Sequence, residues 1–220
     1  MAVVCSYNRS RMKSELLKRL YTHHWASRLP GFEVRGHLLC PVSCGPVLCG
    51  FCFESSAWSK TRVQVSAFAQ PLYIPSDHVV LSYGKRLLSG TGSWELDEKT
   101  PITTVDELAS ALTSEGLRFL RGRSTPALLA NVYRWEAILR RDPHARQLVA
   151  FSFARMEKRN AALRLLDKLR REEREAPEWQ RAIAARSELL YAALKCGSDQ
   201  ANNLLTQWEA QTREALKLPQ

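Results

Sequence analysis

The spacing of apolar residues along the chain changes character near residue 123. Before this point, apolar residues alternate with polar ones or form short β-branched runs, after one leading helical pattern. Beyond it, they recur every three or four residues, as on the buried face of a helix. We therefore predict an α+β fold, with an N-terminal helix and antiparallel sheet in residues 1–123 and an all-helical bundle of helical hairpins in residues 124–220.

The N-terminal half contains one helical pattern and several strand patterns. Leucine and aromatic residues recur on one side of residues 10–28, and Pro30 and Gly31 are expected to end this helix. Alternating or continuous apolar runs bounded by turn residues predict strands. The predicted strands are residues 32–39, 47–54 and 61–69, with a weaker candidate at 79–83.

Helix starts are marked by capping residues and prolines. Thr104 and Glu107 have the spacing of a capping box, so we predict a helix over residues 104–115 that Gly116 ends. In the C-terminal half, a polar residue followed by proline repeatedly marks a first helical turn. The five helices predicted there begin at Thr125-Pro126, Asp142-Pro143, Arg159 or Asn160, Pro177 and Ser198.

Two of these starts have a regular spacing. Pro143 and Pro177 lie 34 residues apart, and each opens a helix that a second helix follows. This spacing resembles that of tetratricopeptide helical hairpins. A plain irregular helical bundle would give the same helix starts, so both interpretations stay open.

Positive charge is concentrated in one part of the chain. The formal net charge is +10, and residues 121–174 alone carry 14 Lys and Arg against 6 Asp and Glu. Such a basic face can bind a partner's carboxylates or a phosphate backbone, although a solvated helix face has the same composition. The residues that we predict to bind a partner are Arg140, Arg141, Arg155, Arg159, Arg170 and Arg171.

Four of the six cysteines lie in the segment CPVSCGPVLCGFC. A zinc site needs two ligand pairs that can face each other, and only four residues separate the pair Cys40 and Cys44 from the pair Cys49 and Cys52. A redox Cys-x-x-Cys should open a helix, whereas Gly50 lies in a strand pattern. We predict a hairpin whose turn is PVSCGP and whose cysteines are small apolar residues on a buried face. Zinc binding and redox chemistry are the less favoured alternatives.

Recognised catalytic motifs are missing from the chain. It has no phosphate-binding glycine loop with lysine, no Gly-x-Gly-x-x-Gly, no His-Glu-x-x-His and no Gly-x-Ser-x-Gly. We therefore expect no enzymatic activity and no cofactor. The first residues contain only a three-residue apolar run, so we expect neither a signal peptide nor a membrane partner, and a protein of the reducing cytosol.

The order of features in the N-terminal half resembles a bacterial family of domains of unknown function. The resemblance covers about residues 12–122 and rests on the leading helix, Gly31-Phe32, the hairpin, a Ser/Trp segment at residues 55–58, the alternating strand and Pro71 to Tyr73. It implies a compact α+β domain with no assigned activity. We predict a bacterial protein-binding module, either an adaptor or a toxin-neutralising immunity protein. The alternative is a nucleic-acid-binding protein that uses the basic residues 121–174.

Overall fold

The computed structural model describes residues 14–55, 59, 61–90, 92–135, 142–172 and 177–219. The fold is α+β, as predicted, with an antiparallel sheet in the N-terminal half and helices throughout the C-terminal half. The chain divides into two compact units. The first comprises Met1–Cys44, Leu48–Gln70 and Val79–Gly122, and the second comprises Gly45–Val47, Pro71–His78 and Arg123–Gln220.

In the described part of the chain, six strands form a single sheet. Its strands are β1 (Phe32–Arg35), β2 (Leu38–Pro41), β3 (Val47–Ser55), β4 (Arg62–Pro71), β5 (Lys85–Leu87) and β6 (Trp94–Glu95). The spatial order is β1-β2-β3-β4-β5, and β6 also pairs with β4. Along β4, Val63, Val65 and Ala67 are buried while the residues between them are more exposed, which is the alternation that predicted this strand.

Two details of the sheet differ from the prediction. The expected strand over residues 32–39 is a hairpin, because Gly36 has a φ of 61° and a glycine at this position allows a two-residue turn between Arg35 and Leu38. The weaker candidate at 79–83 is not a strand. Strand β5 pairs with β4 instead. It begins directly after Gly84, whose N–H donates to the Leu81 carbonyl at 2.8 Å.

The helices of the N-terminal half differ from the prediction in length and regularity. The leading helical segment, predicted over residues 10–28, covers residues 14–25 of the described chain. The predicted capping box of Thr104 and Glu107 is wrong, because the second helix already begins at Ile102, after Pro101, and no side chain caps it. Helix α1 (Ser14–Leu20) continues through a π-helical turn, and helix α2 (Ile102–Ala111) continues through another π-helical turn into α3 (Leu117–Arg121). The prediction that Gly116 ends the second helix is wrong, because this residue has helical φ and ψ of −63° and −57°. A Cβ at Gly116 would lie 2.5 Å from Phe51 Cε1, so the missing side chain allows close packing on the sheet.

The C-terminal half forms the five predicted helices. They are α4 (Pro126–Trp135), α5 (Pro143–Arg155), α6 (Arg159–Glu172), α7 (Glu178–Cys196) and α8 (Ser198–Ala215). Two of these helices have the side-chain caps that were predicted, whereas α7 and α8 begin without a side-chain cap. The Leu128 N–H donates to Thr125 Oγ1 at 3.2 Å, and the His144 N–H donates to Asp142 Oδ1 at 2.8 Å. No helix in the described part of the chain is long and apolar enough to cross a membrane.

A segment from the N-terminal half is anchored among these helices. Tyr73 is fully buried, and its hydroxyl lies 2.7 Å from Ser152 Oγ on α5. The Arg213 guanidinium of α8 donates to the Gly45 carbonyl at 2.9 Å. The division between the units at Gly122 and Arg123 lies beside the predicted boundary, but these contacts show that the second unit also includes two short segments from before it. Independent folding of residues 1–123 or of residues 124–220 stays a prediction.

Candidate functional site

The cysteine segment forms the hairpin between β2 and β3. Cys40, Cys49 and Cys52 are buried on these strands, and Cys44 is partly exposed in the connection between them. Cys40 lies against the backbone of Gly50, where a Cβ would be 2.9 Å from the Cys40 sulfur. No disulfide links the five described cysteines.

The geometry of this hairpin limits its chemistry. Cys49 and Cys52 are three residues apart on a strand, so their side chains point to opposite faces of the sheet and do not form a vicinal dithiol. Burial raises the pKa of the Cys40 thiol to about 12, which keeps it protonated and weakly nucleophilic near pH 7. Within the described ranges, no three His, Cys, Asp or Glu side chains are grouped to hold a metal ion.

The four described arginines that were predicted to bind a partner already make contacts within the chain. Arg155 pairs with Glu209 at 3.3 Å. Arg159 Nε donates to the Leu194 carbonyl at 2.9 Å, in the last turn of α7 where helix carbonyls lack helical partners. These two side chains therefore join α5 to α8 and α6 to α7, which gives them a structural role. Arg140 and Arg141 lie outside the described residues.

The other two arginines belong to a cluster on α6 and α7. Arg170 contacts Asp167 at 2.7 Å and Glu188 at 3.2 Å, and its guanidinium lies 4.3 Å from the centre of the Tyr191 ring. Arg171 also pairs with Asp167, at 2.9 Å, but remains 72% exposed. Hydrogen bonding from Arg170 lowers the pKa of Asp167, so this carboxylate stays charged in the cluster. A role of these arginines in partner binding stays a prediction.

An apolar groove of about 480 Å³ lies between α4, α5 and α6. Ala145, Val149 and Phe153 are spaced four residues apart along α5 and form one stripe of its surface. From Ala145 to Phe153 this stripe extends about 12 Å, at a rise of roughly 1.5 Å per residue. Tyr133 of α4 and Leu165 of α6 complete the apolar lining, together with Ala161.

Four basic side chains also line this groove, and no carboxylate does so among the described residues. They come from all three helices and are Arg134, Arg146, Arg164 and Lys168. Arg134, Arg164 and Lys168 are exposed, and Arg146 is half-buried. The combination of an apolar lining and a single sign of charge defines what we call the basic groove.

A second hollow of about 500 Å³ adjoins the basic groove at the turn between α5 and α6. It shares Ala161 and Arg164 with the groove and is otherwise lined by polar residues, among them Lys158 and Arg159. One acidic residue, Glu157, also lines it and has a positive φ of 59° in the turn. The basic surface therefore extends beyond the groove toward the start of α6.

The sequence contained a signal for the basic groove, but it was ambiguous. Arg164 and Lys168 were part of the basic run that could equally be a solvated helix face. The stripe of Ala145, Val149 and Phe153 has the spacing of any buried helix face. Only the packing of α4 and α6 on either side of α5 shows that this stripe borders a groove.

Comparison with protein-family models, with curated protein sequences and with solved structures finds no match. The resemblance of residues 12–122 to a bacterial domain family therefore stays a prediction. The same holds for the tetratricopeptide-like spacing of Pro143 and Pro177.

Proposed function

We propose that this chain is a non-enzymatic protein-binding module and that the basic groove is its binding surface. The observation that carries the proposal is the groove itself, in which an apolar lining of about 480 Å³ is bordered by four cations. Grooves that bind proteins combine an apolar centre with a charged rim, because the centre supplies burial while the rim supplies orientation and specificity. Because four cations and no carboxylate are found among the described lining residues, the groove favours a partner of negative charge.

Binding of nucleic acid is the second candidate. It is favoured by the excess positive charge of residues 121–174 and by Lys158, Arg159 and Arg164 at the second hollow. The lining of the basic groove favours it less, because single-stranded nucleic acid stacks on several exposed aromatic rings, whereas Tyr133 is only 4% exposed and Phe153 is the one partly exposed ring among the described lining residues.

The proposal assigns the cysteine hairpin a structural role. Its buried thiols lie on β2 and β3, and the raised pKa of Cys40 makes this residue a poor nucleophile. Within the class of protein-binding modules, we propose an adaptor or a toxin-neutralising immunity protein of a bacterial cytosol. The cytosolic part of this proposal is supported by the five described cysteines, which form no disulfide with one another.

The proposal is tested by filling the groove with a large side chain. Ala161 lines the groove, so Ala161→Trp would occupy it without changing the net charge. Ala182 is exposed on α7 and does not line the groove, which makes Ala182→Trp a matched control. Circular dichroism and urea unfolding of both variants verify that the fold is retained.

Each full-length protein is immobilised and incubated with nuclease-treated extract of the native cell, and bound proteins are identified by mass spectrometry. We expect mass spectrometry to identify a cellular protein that binds the immobilised parent chain and the Ala182→Trp variant but does not bind the Ala161→Trp variant. Equal retention by both tryptophan variants would exclude the groove as the binding surface. Capture that disappears on nuclease treatment would favour the nucleic-acid candidate.

A further inference from the structure

We propose that the occupant of the basic groove is an amphipathic α-helix with an acidic polar face. This inference rests on the proposed function, because it names the chemistry of the partner that the groove binds. It follows from the backbone of the groove, its length and its charge.

The backbone of the groove favours a helical ligand over an extended one. All of its lining residues lie on α4, α5 and α6, whose main-chain groups are hydrogen-bonded within the helices. An extended peptide would find no strand edge to pair with, and its own N–H and C=O groups would be desolvated against apolar side chains. A helix satisfies these groups internally and can place its apolar face in the groove.

The length of the groove matches two turns of a helix. The stripe from Ala145 to Phe153 extends about 12 Å along α5, and apolar residues at positions i and i+7 of a bound helix are about 10.5 Å apart. Anchors at i, i+3 or i+4, and i+7 would therefore span the length of this stripe. Their partly exposed apolar contacts are Phe153, Ala161 and Leu165, since Ala145 and Val149 are themselves buried.

The charge of the groove fixes the polar face of the partner. Helix α5 packs against both α4 and α6, and these flanking helices contribute Arg134 on one side and Arg164 and Lys168 on the other. A helix lying along α5 would have basic side chains near both flanks of its apolar face. Glu or Asp at the flanking positions of the bound helix would satisfy this arrangement, whereas Lys or Arg would be repelled.

The inference is tested with three fluorescein-labelled synthetic 18-residue peptides. The acidic peptide has leucine on one helical face and glutamate on the flanks, the basic peptide has lysine in place of glutamate, and the third has the acidic composition with the leucine periodicity scrambled. Binding to the full chain is measured by fluorescence polarisation at low salt, where ion pairs are least screened. Oleate and a 20-nucleotide polyuridine are measured in competition.

The charge-reversal variant Arg164→Glu/Lys168→Glu tests the rim, and Lys99→Glu/Arg181→Glu is its matched control. Lys99 and Arg181 are exposed, lie outside the groove, and their reversal changes the net charge equally. We expect the acidic peptide to bind the parent chain about tenfold more tightly than the basic or scrambled peptide, because like charges at an interface are strongly unfavourable. The groove variant should lose this binding and gain affinity for the basic peptide, while the control keeps the parent's preference.

Three results would overturn the inference. The first is that the acidic peptide does not bind at 1 mM, or binds no more tightly than the scrambled peptide. The second is that the preference for the acidic peptide is lost with Lys99 and Arg181 instead of with Arg164 and Lys168. The third is that oleate or polyuridine displaces the labelled peptide at lower concentrations than the unlabelled acidic peptide does. Failure of the proposed function is distinguished by the tryptophan variants. If Ala161→Trp still abolishes capture of a cellular protein while the acidic peptide does not bind, the groove binds a protein of different chemistry.

Discussion

Replacing Gly116 with alanine tests how closely the helix of residues 102–121 packs on the sheet. An alanine Cβ would lie 2.5 Å from Phe51 Cε1 and 3.3 Å from Leu87 Cδ1. Phe51 is fully buried and stacks on Phe32 with ring centres 5.9 Å apart, so its ring cannot move aside without displacing its neighbours. The substitution therefore forces either the ring or the helix to shift.

Two effects of opposite sign determine the outcome at Gly116. Alanine is more favourable than glycine in a helix interior by about 1 kcal/mol. Forcing an extra methyl group into a packed core costs about 1–3 kcal/mol, and the 2.5 Å approach to a buried ring places this site near the upper end. We expect Gly116→Ala to lower the free energy of unfolding by about 1–2 kcal/mol, the difference of the two terms.

Gly122 provides the matched control for this substitution. Its Cβ would meet only the carbonyl oxygens of Arg118 and Phe119, both at 3.7 Å, and its φ of −72° suits any residue. Gly122→Ala should leave stability unchanged or raise it by up to about 1 kcal/mol. Urea unfolding followed by far-UV circular dichroism measures both variants.

The cause of the loss is tested by a second substitution. Phe51→Leu removes the ring that the new methyl group contacts, so it should cost less free energy in the Gly116→Ala background than in the parent chain. The packing argument is refuted if Gly116→Ala is as stable as Gly122→Ala. Additive effects of the two substitutions would likewise show that the ring is not what opposes the methyl group.

Further predictions concern buried polar and ionisable groups. Tyr73→Phe should lower stability by about 1–2 kcal/mol, since it leaves the Ser152 hydroxyl buried without its partner, and Tyr73→Phe with Ser152→Ala should cost less than the sum of the single changes. Ser187→Ala should be neutral or stabilising in urea unfolding, because Ser187 Oγ is buried and has no hydrogen-bond partner among the described residues. The raised pKa of Cys40 should make stability fall as pH rises from about 9 toward 12, since the unfolded thiol ionises first, and Cys40→Ala should reduce this fall. A fragment ending near Arg123 should keep a folded sheet, as measured by circular dichroism. The fragment should be less stable than the full chain, because residues 71–78 lose their contacts with the C-terminal helices. A molten fragment would contradict the prediction of two separable domains.

The elements that sequence predicted well are those whose signals are local. Thr125 and Asp142 cap their helices with their own side chains, and the alternation of β4 reflects the two faces of one strand. Not every local signal was reliable, since the capping box of Thr104 and Glu107 is absent and the helix begins at Ile102. At Gly116 the prediction failed because the glycine has a non-local cause. Glycine commonly ends helices, but Gly116 lies inside one. A side chain at this position would collide with Phe51, which lies 65 positions earlier and contacts Gly116 only in the folded chain.

The candidate site was less predictable than the fold for the same reason. The basic run of α6 shows which residues carry charge, but not that Arg159 donates to Leu194 or that Arg170 pairs with Glu188. These pairings arise between helices and assign several of the predicted binding arginines a structural role. The basic groove likewise requires that α4 and α6 pack beside α5, which no spacing within a single helix reveals.

Site-specific photo-crosslinking in the native cell tests most directly whether the basic groove is a protein-binding surface. A benzophenone amino acid is introduced in place of Leu165, which lines the groove, or in place of Leu189, which is 57% exposed on α7 and lies outside it. The account predicts a nuclease-resistant protein adduct from position 165 that is missing from position 189. Identical adducts from both positions, or adducts from position 165 that nuclease removes, would contradict it.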